Sequence, residues 1–260
     1  MQLTFYKYHG TGNDFIIIDN RELKFNPEDS ALVAKLCHRR FGIGADGLML
    51  LQSKVGYDFE MIYYNSDGKE SSMCGNGGRC IIEFARTLGL VKTTAYFLAS
   101  DGEHEASVRP AFISLKMNDV SKVELNADFC YLNTGSPHYV AFVNDVRNFN
   151  VFEEGRSIRT NERFKVEGTN VNFVEKQLND LFVRTYERGV EDETYSCGTG
   201  VTAAALVAAI KSVSTGQDYC DIKTLGGDLK VKFVKHDDNS FTDIWLEGSA
   251  TFVFKGEITI

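Results

Sequence analysis

Apolar and polar residues alternate along much of this chain, which is typical of β-strands with one buried face. The segment LTFYKYHG shows the alternation, and FIIID adds a short apolar run that predicts a buried strand. Further strand-like segments recur to the end of the chain, among them LMLLQ, YDFEMIYYN, LFVRTYER and LKVKFVK. The pattern predicts a molecule that consists mainly of strands.

Helical patterns interrupt the strands at a few places. NPEDSALVAKLCHRR predicts a helix with Asn26 as its cap and Pro27 at the first helical position. GGRCIIEFARTLGL predicts a helix that ends at Gly89. GVTAAALVAAIKSV is apolar nearly all round, so its helix is expected to be fully buried. The mixture predicts an α/β fold of the α+β type.

The two later helices share their opening, because Cys-Gly-x-Gly precedes each of them. These motifs begin at Cys74 and Cys197, which lie 123 residues apart, nearly half the chain length. GTGNDFIII and GTNVNFVEK look like a second repeated pair. A chain of two similar halves is the simplest interpretation. We expect one half at residues 1–117 plus 250–260, the other at 118–249, and the two cysteines facing one another across a shared pocket.

Composition excludes several classes of protein. The chain has 260 residues, 43% of them hydrophobic and 25% charged, as in globular proteins with a substantial core. A formal net charge of −8 argues against nucleic acid or an anionic membrane as a partner. The N-terminal segment has no signal-peptide pattern, and the apolar run VTAAALVAAI is too short to span a bilayer. We therefore expect a cytoplasmic protein with reduced thiols.

Six cysteines are present, and their spacing limits what they do. No two of them form a Cys-x-x-Cys pair, which argues against zinc ribbons and thioredoxin-like redox sites, so no metal site is expected. Most of them should be unreactive buried residues. The six are Cys37, Cys74, Cys80, Cys130, Cys197 and Cys220.

A thiol at a helix N-terminus suits acid–base catalysis. The positive end of a helix lowers the pKa of a thiol, and glycines let a ligand approach the backbone closely. N–H groups of the first turn can hold a carboxylate or a developing enolate oxygen. Two such turns in opposition could remove an α-proton from one face of a carbon and return a proton to the other. That arrangement suits inversion of a stereocentre beside a carboxylate.

Competing interpretations of the glycine-rich stretches have weaker support. GIGADG, from Gly42 to Gly47, matches a dinucleotide-binding fingerprint, but it follows a helix and precedes a strand, the reverse of the required context. CGNGGRC lacks the Gly-Lys-Ser/Thr of a phosphate-binding loop. A redox pair of thiols, or two cysteines merely buried at helix starts, remain as alternatives.

Several blocks together resemble diaminopimelate epimerase over nearly the whole chain. They are KYHGTGNDFIIID, GIGADGL, YYNSDGKESSMCGNGGRC, GTNVNFVE and YERGVEDETYSCGTG. The resemblance implies cofactor-independent interconversion of LL- and meso-diaminopimelate, on the route to lysine and peptidoglycan. It also implies a homodimer of chains with two pseudo-symmetric domains, each a curved, mostly antiparallel sheet around a central helix, with the active site in the cleft between them.

The same resemblance assigns roles to individual residues. Cys74 and Cys197 correspond to the two acid/base residues. The remaining roles are donors to the reacting α-carboxylate (Gly75, Asn76, Gly198 and Thr199), groups that hold the distal end of the substrate (Asn13, Asn65, Asn170 and Arg188), and supporting groups near the thiols (Glu187 and His138). A guanidinium such as that of Arg188 suits a bidentate grip on the second carboxylate that this substrate carries.

Two positions depart from the family pattern. Ser136 stands in GSPH where the family commonly has asparagine, so a contact to the distal group is expected to be rearranged or water-mediated. Gly47 stands in GIGADG where some members have glutamine. Neither change affects the thiols.

Two other functions remain open on sequence grounds. One is a racemase of the proline-racemase type, which also uses opposed cysteines but acts on a substrate without a distal carboxylate. The other is a non-catalytic module that binds an amino acid.

Overall fold

The computed structural model describes residues 2–260, which form two compact units. Unit 1 contains residues 2–115 together with Ser249–Ile260, and unit 2 contains Lys116–Gly248. None of the helices described within residues 2–260 is both long and apolar enough to cross a membrane.

Unit 1 combines two helices with strands from both ends of the chain. The helices are α1 (Ser30–Cys37) and α2 (Gly75–Thr87). The strands from the first part of the chain are β1 (Gln2–Gly10), β2 (Asn13–Asp19), β3 (Gly47–Gln52), β4 (Phe59–Asn65), β5 (Glu70–Ser71), β6 (Thr94–Ala99), β7 (Gly102–Val108) and β8 (Ile113–Lys116).

Unit 2 has the same kind of composition. Its helices are α3 (Val151–Arg159) and α4 (Gly198–Ile210). Its strands are β9 (Val123–Leu125), β10 (Cys130–Asn133), β11 (Pro137–Phe142), β12 (Asn170–Lys176), β13 (Leu181–Glu187), β14 (Asp192–Thr194), β15 (Tyr219–Thr224), β16 (Gly227–Lys235) and β17 (Phe241–Gly248). The last strand, β18 (Thr251–Thr259), belongs to unit 1 because it pairs with β1 along its length.

The two units have the same strand order. In unit 1 neighbouring strands follow β18-β1-β2-β3-β4-β6-β7-β8, with β5 paired to β4. In unit 2 they follow β9-β10-β11-β12-β13-β15-β16-β17, with β14 paired to β13. Each unit has two parallel pairs whose crossovers contain its two helices, and the other pairs are antiparallel. The predicted α+β class, with a mostly antiparallel sheet in each half, is confirmed.

Strand pairing corrects one part of the predicted repeat. GTGNDFIII leads into β2, whereas GTNVNFVEK forms β12, which corresponds to β3; the likeness of these two segments is therefore not part of the repeat. The counterpart of β2 is β11. Phe15 pairs with Gly47, and His138 pairs with Asn170. Phe15 and His138 lie 123 residues apart, and so do Gly47 and Asn170. The same interval separates the two cysteines.

The helices that follow the cysteines form the centres of their units. In α4 every residue from Gly200 to Ala209 is buried, and the helix contacts β10 to β13 and β15 to β17. Helix α2 is buried from Gly75 through Ile82 and contacts β1, β2, β3 and β7. A helix that is apolar all round is stable only when it is buried, and here the surrounding strands bury it. The predicted burial of α4 is thus confirmed.

The other two helices differ from expectation. Helix α1 begins at Ser30, later than predicted, because the side chain of Asp29 accepts the Leu32 N–H at 2.9 Å and caps it. Asn26 accepts the Glu28 N–H in a turn instead.

The sequence does not predict helix α3, which Asn150 caps. Gly155 in the interior of α3 lowers its helix propensity. A larger residue does not fit there, because a Cβ would lie 2.4 Å from Cβ of Tyr186.

Candidate active site

Cys74 occupies the N-cap position of α2 with an extended backbone, φ −99° and ψ 135°. Its carbonyl accepts the Gly78 N–H at 2.7 Å, which closes the first turn. Its side chain makes no capping hydrogen bond to the helix. The sulfur lies 3.7 Å from Oδ1 of Asn13, within reach of a thiol donor. The structure thus brings two predicted site residues together at the start of α2.

Asn13 is held in one orientation by its neighbours. Its Nδ2 donates to a carboxylate oxygen of Asp46 at 2.8 Å. Because an ionised carboxylate only accepts hydrogen bonds, the amide oxygen of Asn13 must face the opposite way, toward Cys74 and Asn76. Nδ2 of Asn76 donates to that oxygen at 3.3 Å. Asp46 was not predicted as part of the site.

A fully buried arginine supports Asn76 from within α2. Arg79 donates to Oδ1 of Asn76 at 2.8 Å and to the Gly75 carbonyl at 3.2 Å. Thr11 donates to the same Asn76 oxygen at 3.2 Å. Burial lowers the pKa of the Arg79 guanidinium. These contacts place a positive charge beside the start of α2, which sequence patterns did not predict.

Cys197 occupies the equivalent N-cap position of α4, with φ −116° and ψ 114°, and its side chain does not cap the helix either. It is 7% exposed. Its sulfur lies 3.5 Å from Oγ1 of Thr199, where either atom can donate. Oγ1 of Thr134 donates to the Thr199 carbonyl at 2.9 Å, which ties the loop before β11 to the first turn of α4.

Three predicted distal-binding residues of unit 2 lie together. Nδ2 of Asn170 donates to Oγ of Ser136 at 2.9 Å, and Oδ1 of Asn170 accepts the Arg188 N–H at 2.9 Å. Nη2 of Arg188 lies 3.5 Å from the same Ser136 oxygen. Gly168, with φ +76°, leaves room for the Arg188 chain, since a Cβ there would lie 2.6 Å from its Cδ. Ser136 therefore serves as an acceptor within this cluster.

The remaining predicted residues have simpler surroundings. Oε2 of Glu187 accepts the Thr194 hydroxyl at 2.9 Å. Asn65 is exposed at the end of β4 and opens a turn. At Gly47 a Cβ would lie 2.5 Å from the Tyr63 ring and 2.6 Å from a backbone oxygen. The Tyr63 ring therefore fills the space that a side chain at position 47 would need.

His138 is fully buried in unit 2. Nδ2 of Asn172 lies 3.0 Å from its Nδ1. Desolvation by burial and, as the smaller cause, the positive charge of Arg188 together lower the pKa of His138 to about 3. The imidazole is therefore neutral at pH 7.

The other cysteines are buried within their units. Burial raises the pKa of Cys37 to about 12 and that of Cys220 to about 11, and it raises the pKa of Cys80 and Cys130 as well. Their prediction as unreactive packing residues agrees with this burial. Cys80 in particular contributes to the packing of α2.

Comparison with known proteins identifies a family whose sequence pattern this chain matches. The family described as Diaminopimelate epimerase matches residues 5–123 and 130–253. Diaminopimelate epimerase of Flavobacterium psychrophilum is 49% identical over 97% of this chain and 99% of its own length. Diaminopimelate epimerase of Chlorobaculum tepidum is 42% identical over 96% of this chain and 99% of its own length.

Solved structures share the fold at low identity. A Bacillus anthracis phenazine biosynthesis protein of the PhzF family superposes with a TM-score of 0.78 at 15% identity, covering 100% of both chains. A hydroxyproline epimerase from Agrobacterium vitis superposes with a TM-score of 0.70 at 14% identity, covering 99% of this chain and 92% of that one.

The duplicated fold, the cysteine at the start of each central helix and these relatives define the class: the protein is an isomerase of the epimerase type. Its sequence match extends over most of the chain and identifies the particular group. The chain belongs to the diaminopimelate epimerase family.

The buried neutral His138 predicts a specific loss of stability in acid. Its folded-state pKa of about 3 lies below the ordinary value, so the unfolded chain takes up the proton first as the pH falls. Stability from this group is present above about pH 6.5 and is lost toward pH 3. Between pH 7 and 5 the loss should reach about 2 kcal/mol. Urea unfolding of wild type and His138→Phe at each pH measures it.

We expect the free energy of unfolding of His138→Phe to depend less steeply on pH over this range than that of the wild type. The four other histidines are present in both proteins, so their contributions cancel in the difference. Curves that run parallel from pH 7 to pH 5 would contradict a neutral, desolvated His138.

Proposed function

We propose that this protein interconverts LL- and meso-diaminopimelate without a cofactor, using Cys74 and Cys197 as its two acid/base residues. The observation that carries the proposal is the repeated placement of a cysteine at the N-cap of each central helix, neither of them capping it. Family membership supports the substrate. We propose that the two units are the two halves of one epimerase. The repeat in the sequence suggests the same division, with boundaries after residues 117 and 249.

The proposed reaction moves one proton off the α-carbon and one onto it. A thiolate on one face takes the α-proton and becomes a thiol, leaving a carbanion beside the carboxylate. The thiol on the opposite face then donates its proton to that carbon and becomes a thiolate. The stereocentre is inverted, and the two sulfurs have exchanged protonation states. The enzyme is then ready for the reverse reaction.

The helix starts suit the charge that develops during this reaction. Negative charge moves from carbon onto the carboxylate oxygens when the α-proton leaves. Backbone N–H groups at Gly75, Asn76, Gly198 and Thr199 belong to the first turns of α2 and α4, where helix dipoles favour an anion. We propose that these groups hold the reacting carboxylate. Arg79 adds a fixed positive charge beside the first turn of α2.

We propose that Asn13, Asn65, Asn170 and Arg188 recognise the distal amino-acid group of the substrate. In unit 2 the contacts among Ser136, Asn170 and Arg188 support this role, because they orient the amide and the guanidinium before any ligand arrives. Glu187 and His138 are proposed to support the thiols. Gly47 has no side chain to contact the substrate, and the Tyr63 ring fills the space beside it.

The cellular setting follows from the same chemistry. Interconversion of these stereoisomers would serve the synthesis of lysine and of peptidoglycan precursors. Both proposed acid/base thiols must stay reduced, which favours the cytoplasm. We also propose a homodimer: Phe252, Val253 and Phe254 of β18 are 44–50% exposed, and a cluster of exposed apolar side chains is typical of an interface.

Replacing either proposed acid/base cysteine by serine should abolish turnover without unfolding the protein. Serine is a preferred N-cap residue, so Cys74→Ser and Cys197→Ser should keep or raise the melting temperature. Their hydroxyls are far weaker acids than thiols, so epimerisation should fall by about two orders of magnitude or more. Chiral chromatography of the diaminopimelate isomers measures turnover. The control is Cys130→Ala, which should retain activity; near-wild-type turnover by either serine variant would refute the two-base assignment.

Arg188→Met should distinguish diaminopimelate from a substrate without a distal carboxylate. The methionine keeps much of the side-chain length but removes the guanidinium. We expect kcat/KM for diaminopimelate to fall by about tenfold or more, since a charge-assisted contact is lost. The matched control is Arg21→Met, which removes an exposed guanidinium paired with Asp19. A KM for diaminopimelate that Arg188→Met leaves unchanged would favour a racemase for small amino acids.

A further inference from the structure

The two units differ sharply beneath the first turn of their central helices. In unit 1, Phe15 and Met49 lie there: a Cβ at Gly77 would be 3.2 Å from the Met49 sulfur and 3.6 Å from the Phe15 ring. In unit 2 the same register positions carry His138 and Asn172. A Cβ at Gly200 would lie 2.3 Å from Oδ1 of Asn172. Packing alone therefore does not require polar residues at this place.

The orientation of the Asn172 amide is fixed by groups on both sides. Its Nδ2 lies 3.0 Å from the carbonyl oxygen of Tyr139, which can only accept a hydrogen bond. Its Oδ1 accepts the Thr185 hydroxyl at 2.9 Å. A flipped amide would place two acceptors against each other at Tyr139. Nδ2 must therefore also be the atom that faces His138.

This orientation decides where His138 carries its proton. Nδ2 of Asn172 is a donor, so Nδ1 of His138, 3.0 Å away, must present its lone pair. A neutral imidazole that accepts at Nδ1 carries its hydrogen on Nε2. Nε2 is fully buried, and no hydrogen-bond partner for it exists within residues 2–260.

An unsatisfied buried donor costs stability. No protein group within residues 2–260 satisfies this donor in unit 2, whereas unit 1 has Phe15, which carries no donor, at the equivalent position. A donor kept under these conditions suits an acceptor that arrives from outside the protein.

We propose that Asn172, held by Thr185, is a positioning residue that fixes His138 as the neutral Nε2–H tautomer. On this account His138 serves the proposed epimerisation as a hydrogen-bond donor to an anionic group of the reaction and not as a base. The part of this inference that concerns catalysis rests on the proposed function; the tautomer does not. Taking a proton at Nδ1 would break the contact with Asn172 and place a charge in a buried site.

Nitrogen NMR of the protein labelled with ¹⁵N-histidine tests the tautomer directly. We expect a pyrrole-type shift for Nε2 of His138 and a pyridine-type shift for Nδ1 at neutral pH. His138→Phe identifies the signals by removing them from the spectrum of the five histidines. A pyrrole-type Nδ1, or two protonated nitrogens, would overturn the proposal whether or not the protein epimerises diaminopimelate.

Variants of Asn172 then test its role. In Asn172→Asp the carboxylate accepts, so we expect Nδ1 of His138 to become protonated and kcat to fall by about tenfold or more with a smaller change in KM. Asn172→Met introduces the residue of unit 1 and should fold, lose the fixed tautomer and lose kcat. Thr185→Val, which removes only the supporting hydroxyl, should give an intermediate loss. An unchanged tautomer in both Asn172 variants would show that Asn172 does not set it.

If the wild type shows the expected tautomer but no epimerisation, the proposed function fails and the assignment of the tautomer remains. If epimerisation occurs with a different tautomer, the inference fails and the proposed function remains. The two results are therefore separable in one set of samples.

Discussion

Each unit depends on a helix that is enclosed by strands and has a cysteine at its N-cap position. N-cap positions usually carry serine, threonine, aspartate or asparagine, whose oxygen binds the N–H groups of the first turn. Cys74 and Cys197 take that position without capping, so the first turns keep donors directed toward the region where the sulfur lies. The stability that a better cap would contribute, about 1 kcal/mol, is given up at both places. The glycine that follows each cysteine has no side chain, which lets a ligand approach the backbone closely.

Duplication explains the common framework, and later divergence explains the differences between the units. Strand order, parallel pairs and the position of the cysteine are the same in both. In unit 1 the start of α2 is surrounded by Asn13, Asp46 and the buried Arg79. In unit 2 the start of α4 lies over Asn172 and His138, with Thr199 beside the sulfur. A pair of similar sites with unlike surroundings suits two thiols that alternate between acid and base.

Much of this arrangement could be predicted from the sequence, because its signals are local. Cys-Gly-x-Gly followed by an apolar helix marks both helix starts, and alternation marks most strands. What could not be predicted depends on contacts between distant segments. Arg79 has the pattern of an ordinary helix residue until Thr11 and Asn76 are placed beside it. The sequence does not predict helix α3 because Gly155 weakens its helical pattern, and glycine is needed there for close packing against Tyr186.

The likeness of GTGNDFIII and GTNVNFVEK is not part of the repeat, and the reason is related. Both segments combine glycine, threonine and asparagine before a buried strand, and such residues are common wherever a turn enters a sheet. Only the register of pairing reveals that one forms β2 and the other the counterpart of β3. The polar pair His138 and Asn172 becomes conspicuous once the correct alignment sets it against Phe15 and Met49.

The two-base account is tested most directly by the fate of solvent deuterium early in the reaction. LL-diaminopimelate is incubated with the wild-type protein in deuterated water, and both isomers are isolated after a few per cent of conversion. Two-base catalysis predicts one deuterium at the inverted carbon of the meso product and none in the remaining LL substrate, because each face has its own proton carrier. Deuterium appearing equally fast in the unreacted LL isomer would contradict it, as would product that contains no deuterium.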